Sequence, residues 1–413
     1  MEIAKPVAPS LPIQAGSSSE AIGWRTALAS SFGLSIGPSV MTILGFGAFI
    51  SPLGREFGWS VPAIAVGASI ISIMIMILSP IQGALVDKFG GRRVVLLSIP
   101  FFGLSLCMMY FLPNNIWVFY AAWVLIPICG LGVWPISYLR STAGWFDRKL
   151  GLALGVTNAG IGVGSMLIPL LTAYLIANYG WREAYLGLGL IAFVAWPVAY
   201  LFLTDPQPQI GGVSLTGDTL REASRTRPFW LATLGFFLLG LFTTGLIVHQ
   251  VRIFIDAGIP PATATAIPAA FGFALIIGRL GTGWLLDRIS AAKIMAFLMA
   301  CGVVATLIFT GKPDVTMAIF AAVLVGLITG AEFDVLSYII PRYNGRRSFG
   351  QIYGAIFAVF QLGGAIGIYV IGAVRGGTGS YAPAMYGLMA ICVAAGLLFT
   401  LLGPYRFRPG EHA

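Results

Sequence analysis

Apolar residues in this chain come in long unbroken blocks, and clusters of charged residues, glycine and proline separate the blocks. Twelve blocks can be drawn, at about 27–50, 61–82, 94–112, 116–139, 151–177, 183–203, 229–250, 265–286, 293–311, 315–340, 350–372 and 381–402. About 20 residues of helix, rising 1.5 Å each, cross a hydrocarbon layer of ~30 Å. Helices are expected throughout, because backbone exposed to lipid has to satisfy its own hydrogen bonds. The longest polar break, 204–228, carries Asp205, Gln207, Asp218, Arg221, Glu222, Arg225 and Arg227, and it divides the blocks six and six. The expected organisation is a tail over 1–24, a six-helix bundle over 25–203, a linker over 204–228, a second bundle over 229–403 and a tail over 404–413.

The halves echo each other. Gly83-Ala84-Leu85-Val86-Asp87-Lys88 closes the second block, and Gly283-Trp284-Leu285-Leu286-Asp287-Arg288 closes the eighth, 200 positions later. Arg148-Lys149 before the fifth block corresponds to Arg346-Arg347 before the eleventh, and Gly155 to Gly354, at offsets of 198 and 199. Matching residues in matching order imply a parallel repeat, which places a substrate path between two pseudo-symmetric bundles.

Composition agrees with an all-α membrane protein. Hydrophobic residues make up 58% of the 413 and charged residues only 9%, against about a quarter charged in soluble domains, so a water-facing surface is excluded. The net charge of +9 could signal nucleic acid, but the basic residues form no single patch. With both termini in the cytoplasm, 18 of the 24 fall on the cytoplasmic side, five (Arg55, Arg182, Arg252, Lys312 and Arg375) on the other, and Arg279 inside a span. That asymmetry follows the positive-inside rule and accounts for the charge with no nucleic acid partner. Cys107, Cys129, Cys301 and Cys392 lie in apolar stretches without metal-ligand spacing and read as packing residues. The first 24 residues lack the apolar core of a signal peptide and read as a retained tail.

Gly83-Ala84-Leu85-Val86-Asp87-Lys88-Phe89-Gly90-Gly91-Arg92-Arg93 resembles the G-x-L-x-D-(R/K)-x-G-(R/K)-(R/K) loop between spans two and three of the major facilitator superfamily. The repeat and the twelve-span pattern extend the resemblance over the whole chain. It implies the major facilitator fold, twelve transmembrane helices in two six-helix bundles, with Asp87, Arg92, Arg93, Asp287 and Arg288 as a gating loop that latches one state through charge-assisted contacts to neighbouring helix ends. Within the superfamily, Trp145-Phe146-Asp147-Arg148-Lys149-Leu150-Gly151-Leu152-Ala153-Leu154-Gly155, followed by Gly160, Gly162 and Gly164, is similar to the start of span five in monocarboxylate porters and oxalate/formate antiporters. Those glycines also permit close helix packing in lipid.

Arg279 stands out as a charge at membrane depth. It lies eight residues before Asp287, about 12 Å along a helix, and a guanidinium buried there needs a cavity or a partner. Its planar fork of donors suits a carboxylate. The resemblance agrees, since those porters carry a span-eight arginine that anchors a carboxylate at the same distance before the loop Asp. The competing expectation is a structural ion pair with Glu332 or Asp334, which lie about 15 and 12 Å from Arg342 along span ten. These two acids point about 200° apart, so one at most is expected to face Arg279. Asn158 and Gln361 join Arg279 as substrate-binding candidates, and Glu332 and Asp334 are the proton-coupling candidates. Tyr138, Tyr338, Tyr353 and Trp134 are further polar positions inside spans, and His249 is expected at an outer rim.

Two departures from the family narrow the expectation. Leu275 stands where the human-type porters have an aspartate four residues before the arginine, and the first span has no charged residue in place of their lysine. Phe360 falls where the oxalate antiporters have a second cation, so a single intramembrane cation favours a monocarboxylate. The function expected is secondary transport of a small organic monocarboxylate with a proton, by alternating access in a plasma membrane (the inner membrane in a bacterium). The alternative is drug or amphiphile efflux by the same fold, in which Glu332 would capture cations. No enzyme activity, cofactor, metal site or catalytic residue is expected: the chain has no phosphate-binding glycine loop with lysine and no metal cluster. The expected partners are the carboxylate, protons and the bilayer, and the protein is expected to be a monomer.

Overall fold

A computed structural model describes residues 17–206 and 216–407, with side chains from residue 19; Lys5 and the tail through residue 16, Gln207 in the linker, and residues 408–413 with Arg408 lie outside them. The first half comprises α1 (Ser17–Ser35), α2 (Gly47–Phe57), α3 (Val61–Phe89), α4 (Gly91–Met108), α5 (Ile116–Cys129), α6 (Pro135–Ala143), α7 (Leu150–Tyr179) and α8 (Trp181–Phe202). The short α9 (Leu220–Ala223) lies in the linker. The second half comprises α10 (Arg227–Asp256), α11 (Pro261–Ala266), α12 (Pro268–Leu286), α13 (Ala291–Thr310), α14 (Val315–Asn344), α15 (Phe349–Thr378) and α16 (Ala382–Thr400). Eleven helical segments among the described residues are long and apolar enough to cross a membrane.

The remaining span, the fourth, is broken rather than continuous. A 3-10 turn at Leu131–Val133 separates α5 from α6. Pro135, which has no N–H to give to a preceding turn, opens α6. Gly132 permits the break to press on α4: a Cβ there would overlap the Val94 carbonyl, and its N–H donates to Ser98 Oγ at 3.0 Å. The first span bends for a similar reason at Gly37-Pro38, where a π-helical turn (Ser39–Leu44) links α1 to α2. Helix α1 begins at Ser17, inside the stretch expected to be tail.

Several helices outrun their apolar blocks. α7, α10, α14 and α15 are each 30 residues long, about 45 Å of rise against a ~30 Å hydrocarbon layer. Arg342, expected in a loop, is therefore held inside the last turn of α14. One apolar core lies within the first half, around Phe49, Phe102, Trp123 and Tyr185; the other, around Phe236, Phe242, Phe254 and Leu336, extends across to Leu139, Phe146 and Leu154 of the first half. Phe357 packs against both.

Two helix pairs form the main seams between the halves, α3 with α15 and α7 with α12, and α14 also touches α7. The two pairs are related by the repeat, since α3 matches α12 and α15 matches α7. The linker docks beside them. Gly217 and Gly345, both at positive φ (137° and 76°) that a side chain would strain, form an antiparallel bridge, and Asp218 pairs with Arg406 at 2.8 Å. This end of the molecule is called the linker side below.

Candidate functional site

The two seams close on the linker side by the same device. Asp87, in the last turn of α3, accepts from the backbone N–H groups of Gly350 (2.9 Å) and Gln351 (2.8 Å) at the start of α15. Asp287, just past α12, accepts from those of Gly151 (2.7 Å) and Leu152 (2.9 Å) at the start of α7. The first turn of a helix has N–H groups without intrahelical partners and a positive dipole end, so a carboxylate caps it favourably. Glycines let the helices come this close: a Cβ on Gly83 would overlap the Gly350 carbonyl, and one on Gly151 the Gly283 carbonyl. Burial pushes the Asp287 carboxyl up from the ordinary carboxylate range, against the pull of the Leu152 and Gly151 hydrogen bonds and the charges of Arg342 and Arg288.

The basic residues of the expected gating loop do not cross the seams. Arg92 donates from its backbone to Asp205 at the start of the linker (3.0 Å) and from its guanidinium to the Tyr200 carbonyl of its own half (2.7 Å). Arg93 is exposed and has no partner among the described residues. Arg288 folds back on Trp284, 3.9 Å over the ring. The cations at the seams come from elsewhere. Arg140 of α6 reaches Asp87 at 3.4 Å, and Arg342 of α14 crosses to Asp147, Nη1 to Oδ1 at 2.7 Å. Arg346 adds a hydrogen bond to the Phe146 carbonyl at 2.7 Å. Sequence reasoning missed these pairs, although an acid beside the Arg148-Lys149 dipeptide was the signal available for Asp147.

Deeper between the halves lies the charged cluster. Arg279 is 2% exposed on α12, and its Nε and Nη1 have no hydrogen-bond partner. Its guanidinium lies 5.7 Å from the centroid of the Phe333 ring, which packs in turn on Phe357 and Phe360. Glycines again set the approach: a Cβ on Gly155 of α7 would meet the Arg279 carbonyl at 2.9 Å, and one on Gly330 of α14 would meet its nitrogen at 3.0 Å.

The two acids of α14 diverge, as their spacing requires. Asp334, fully buried, accepts from Asn158 Nδ2 of α7 at 2.5 Å, a hydrogen bond between the halves. Glu332, 3% exposed, accepts from Thr243 Oγ1 of α10 at 3.1 Å. Both lie within electrostatic reach of Arg279, as does the Tyr353 hydroxyl, yet neither acid forms an ion pair with it. The structure thus brings together Arg279, Asn158, Glu332 and Asp334. Gln361 is half-buried on α15 and makes no side-chain hydrogen bond. His249 hydrogen-bonds the Ile368 carbonyl at 3.0 Å, toward the end of α10 away from the linker. Thr243 was not anticipated, because a threonine in an apolar span more often bonds its own helix, and its one hydroxyl proton is within reach of the Leu239 carbonyl as well, at 3.0 Å.

Two repeated six-helix bundles, seamed at one end and enclosing charges between them, define a multi-pass membrane protein built around a path between its halves. The chain belongs to the Major Facilitator Superfamily, whose sequence profile matches residues 28–368 and, in a second match, 250–411. It is accordingly a transporter rather than an enzyme. Monocarboxylate transporter 13 of Rattus norvegicus is 26% identical over 92% of this chain and 89% of its own length. An uncharacterised transporter of the same superfamily from Bacillus subtilis (strain 168) is 26% identical over 84% of this chain and 86% of its own. Among solved structures, the fucose:proton symporter FucP of E. coli superposes with a TM-score of 0.72 at 13% identity, covering 93% of this chain and 98% of that one. FucP in its outward conformation gives 0.71 at 16% identity, over 92% and 99%.

Proposed function

We propose that this transporter moves a small organic monocarboxylate together with a proton, by alternating access to a site at Arg279. The observation that carries the reading is a buried guanidinium between the halves with two nitrogens that no group among the described residues satisfies. A carboxylate bound bidentately supplies the missing acceptors. Asn158 and Gln361 complete the polar lining, Phe333, Phe357 and Phe360 form an apolar wall for the tail of the substrate, and one of the acids Glu332 and Asp334 takes the coupled proton. One cation at membrane depth suits one carboxylate better than two. The likeness to monocarboxylate transporters supports the same class.

Gating rests on Asp87 and Asp287 in this state, with Arg92, Arg93 and Arg288 free to take other partners once the seams part. The excess of basic residues on the linker side orients that side, with both termini, toward the cytoplasm of a plasma membrane. The test is uptake of labelled short-chain and aromatic carboxylates by proteoliposomes under an inward proton gradient. Each hydrogen bond to a charged group contributes about 1.5–3 kcal/mol, and 1.4 kcal/mol is tenfold in affinity. Arg279→Gln therefore loses on the order of 100-fold or more in uptake at low substrate, and Arg279→Lys, without the planar fork, falls between. Unchanged saturable uptake in a folded Arg279→Gln protein rejects the site.

A further inference from the structure

The pair formed by Asn158 and Asp334 has an imbalance of donors. Asn158 Nδ2 donates to Asp334 Oδ1, and the two oxygens left over, Asp334 Oδ2 and Asn158 Oδ1, are both buried with no donor to either. An ionised carboxylate offers acceptors only, so the amide oxygen beside it would stay unsatisfied. One proton on Asp334 Oδ2 supplies the donor that the amide oxygen lacks. A carboxylic acid and a primary amide are complementary in this way, each giving one hydrogen bond and taking one.

Charge leads to the same proton. The groups facing Asp334 are Asn158 on α7, Arg279 on α12 and Tyr353 on α15, while Glu332 on its own helix points away from it. Thr243 on α10 faces Glu332. One guanidinium cannot balance two buried carboxylates, and an uncompensated charge in this surrounding is costly. One proton on one acid makes the ligand-free cluster neutral. The Thr243 hydroxyl satisfies an ionised Glu332 when it turns its one proton to the carboxylate instead of the Leu239 carbonyl, whereas Asp334 faces a bare amide oxygen that only a protonated acid satisfies.

We propose that Asp334 holds a resident proton, shared with the Asn158 amide in a two-point pair that staples α14 to α7, and that Glu332 is the acid that charges and discharges with the substrate. This rests on the reading of Arg279 as the carboxylate site. A substrate anion arriving at Arg279 adds one negative charge, and one proton taken from solvent by the Glu332 carboxylate restores neutrality. Transport is then one anion with one proton, and the proton on Asp334 stays in place while the halves remain joined on the linker side.

Infrared spectroscopy of the purified, ligand-free protein at neutral pH tests the assignment through the C=O stretch of a protonated carboxyl. The band is expected in the unaltered protein, to vanish in Asp334→Asn, and to move to higher frequency in Asn158→Leu, where the acid loses its amide partner. Absence of the band from the unaltered protein, or its survival in Asp334→Asn, overturns the proposal. The Asn158→Leu shift decides the matter if Asp334→Asn does not fold, an unmoved band counting against the pair. In proteoliposomes, Glu332→Gln is expected to exchange carboxylate for carboxylate but to lose accumulation driven by a proton gradient. Accumulation retained in Glu332→Gln overturns the role given to Glu332. If the unaltered protein takes up no carboxylate, the reading of Arg279 fails, while the infrared result still stands or falls by itself.

Discussion

Arg279 occupies a backbone niche that the molecule builds twice. Gly155 of α7 presses on the Arg279 carbonyl, and Gly354 of α15 presses on the carbonyl of Ser79, 200 positions earlier. Ser79 spends its hydroxyl on Ile75 of its own helix at 2.5 Å, so the repeat supplies the packing in both copies and the charge in one. Arg279 was legible in the sequence because a charge at that depth is conspicuous. Its lack of a close protein acid was not, since span-ten acids at a similar depth allow a pair that only their rotation about α14 prevents. Residue chemistry also governs the opposite end of the molecule. Glu56 accepts from Arg182 and from Trp181 Nε1, and these hydrogen bonds, that from Arg182 foremost, hold its carboxyl below the usual range. A depressed carboxyl stabilises the fold above the unfolded value of about 4.3, and that contribution is lost as pH falls through the folded value. The pair is half-exposed, so it contributes only about 0.2–1 kcal/mol. Melting curves should show the unaltered protein slightly above Glu56→Gln at neutral pH, with the gap closing below about pH 4. A gap of constant size from neutral to acid pH rules out the ion pair as its source.

Helix ends carry the contacts between the halves, and helix ends are where sequence reasoning fell short. The apolar blocks revealed which segments are helices, and the matching Gly-x-x-x-Asp turns at 83–87 and 283–287 revealed the repeat. The partner of each aspartate is a pair of backbone N–H groups on a helix 263 to 136 residues away, which no side-chain pattern announces. Arginines of the same loop were the visible candidates, and they bond within their own half and to the linker or stay in solvent. The long helices hid a second contact: Arg342 read as a loop residue because its helix runs past the apolar block. The seams make separable predictions. Asp87→Asn keeps the shape but leaves one acceptor for two N–H groups, so one hydrogen bond is lost and the other is uncharged, which weakens the closed seam by at least about 1.5–3 kcal/mol. Gly83→Ala forces a methyl group onto the Gly350 backbone and should weaken it more. Spin labels at exposed Lys88 and Arg347, one on each side of the α3 and α15 seam, should report one short distance in the parent protein and a growing longer population in Asp87→Asn and then Gly83→Ala. Identical distance distributions in all three would remove the seam from the gate.

Among the described residues, every hydrogen bond between the two bundles lies between the linker side and the level of Asn158 and Asp334. The state is therefore closed on one side by contacts that can be named, and the direction of access follows. Gly272 lies seven residues before Arg279 on α12, two turns or ~10 Å farther from the linker and on nearly the same face. A Cβ there meets nothing within 4 Å. The sequence could not disclose this asymmetry, since a repeat pattern is the same in every state of an alternating machine and only the contacts made or broken distinguish them. With Cys107, Cys129, Cys301 and Cys392 replaced, a cysteine introduced by Gly272→Cys should react with a membrane-impermeant thiol reagent added from the side away from the linker and not from the linker side. A bound carboxylate at Arg279 should slow the reaction by obstructing the path, and Asp87→Asn should slow it by moving molecules out of this state. The two effects separate on adding Arg279→Gln, which abolishes the first and leaves the second. Faster labelling from the linker side would mean that the seams at Asp87 and Asp287 do not hold that side closed in the membrane, and the alternating path would have to be drawn from other contacts.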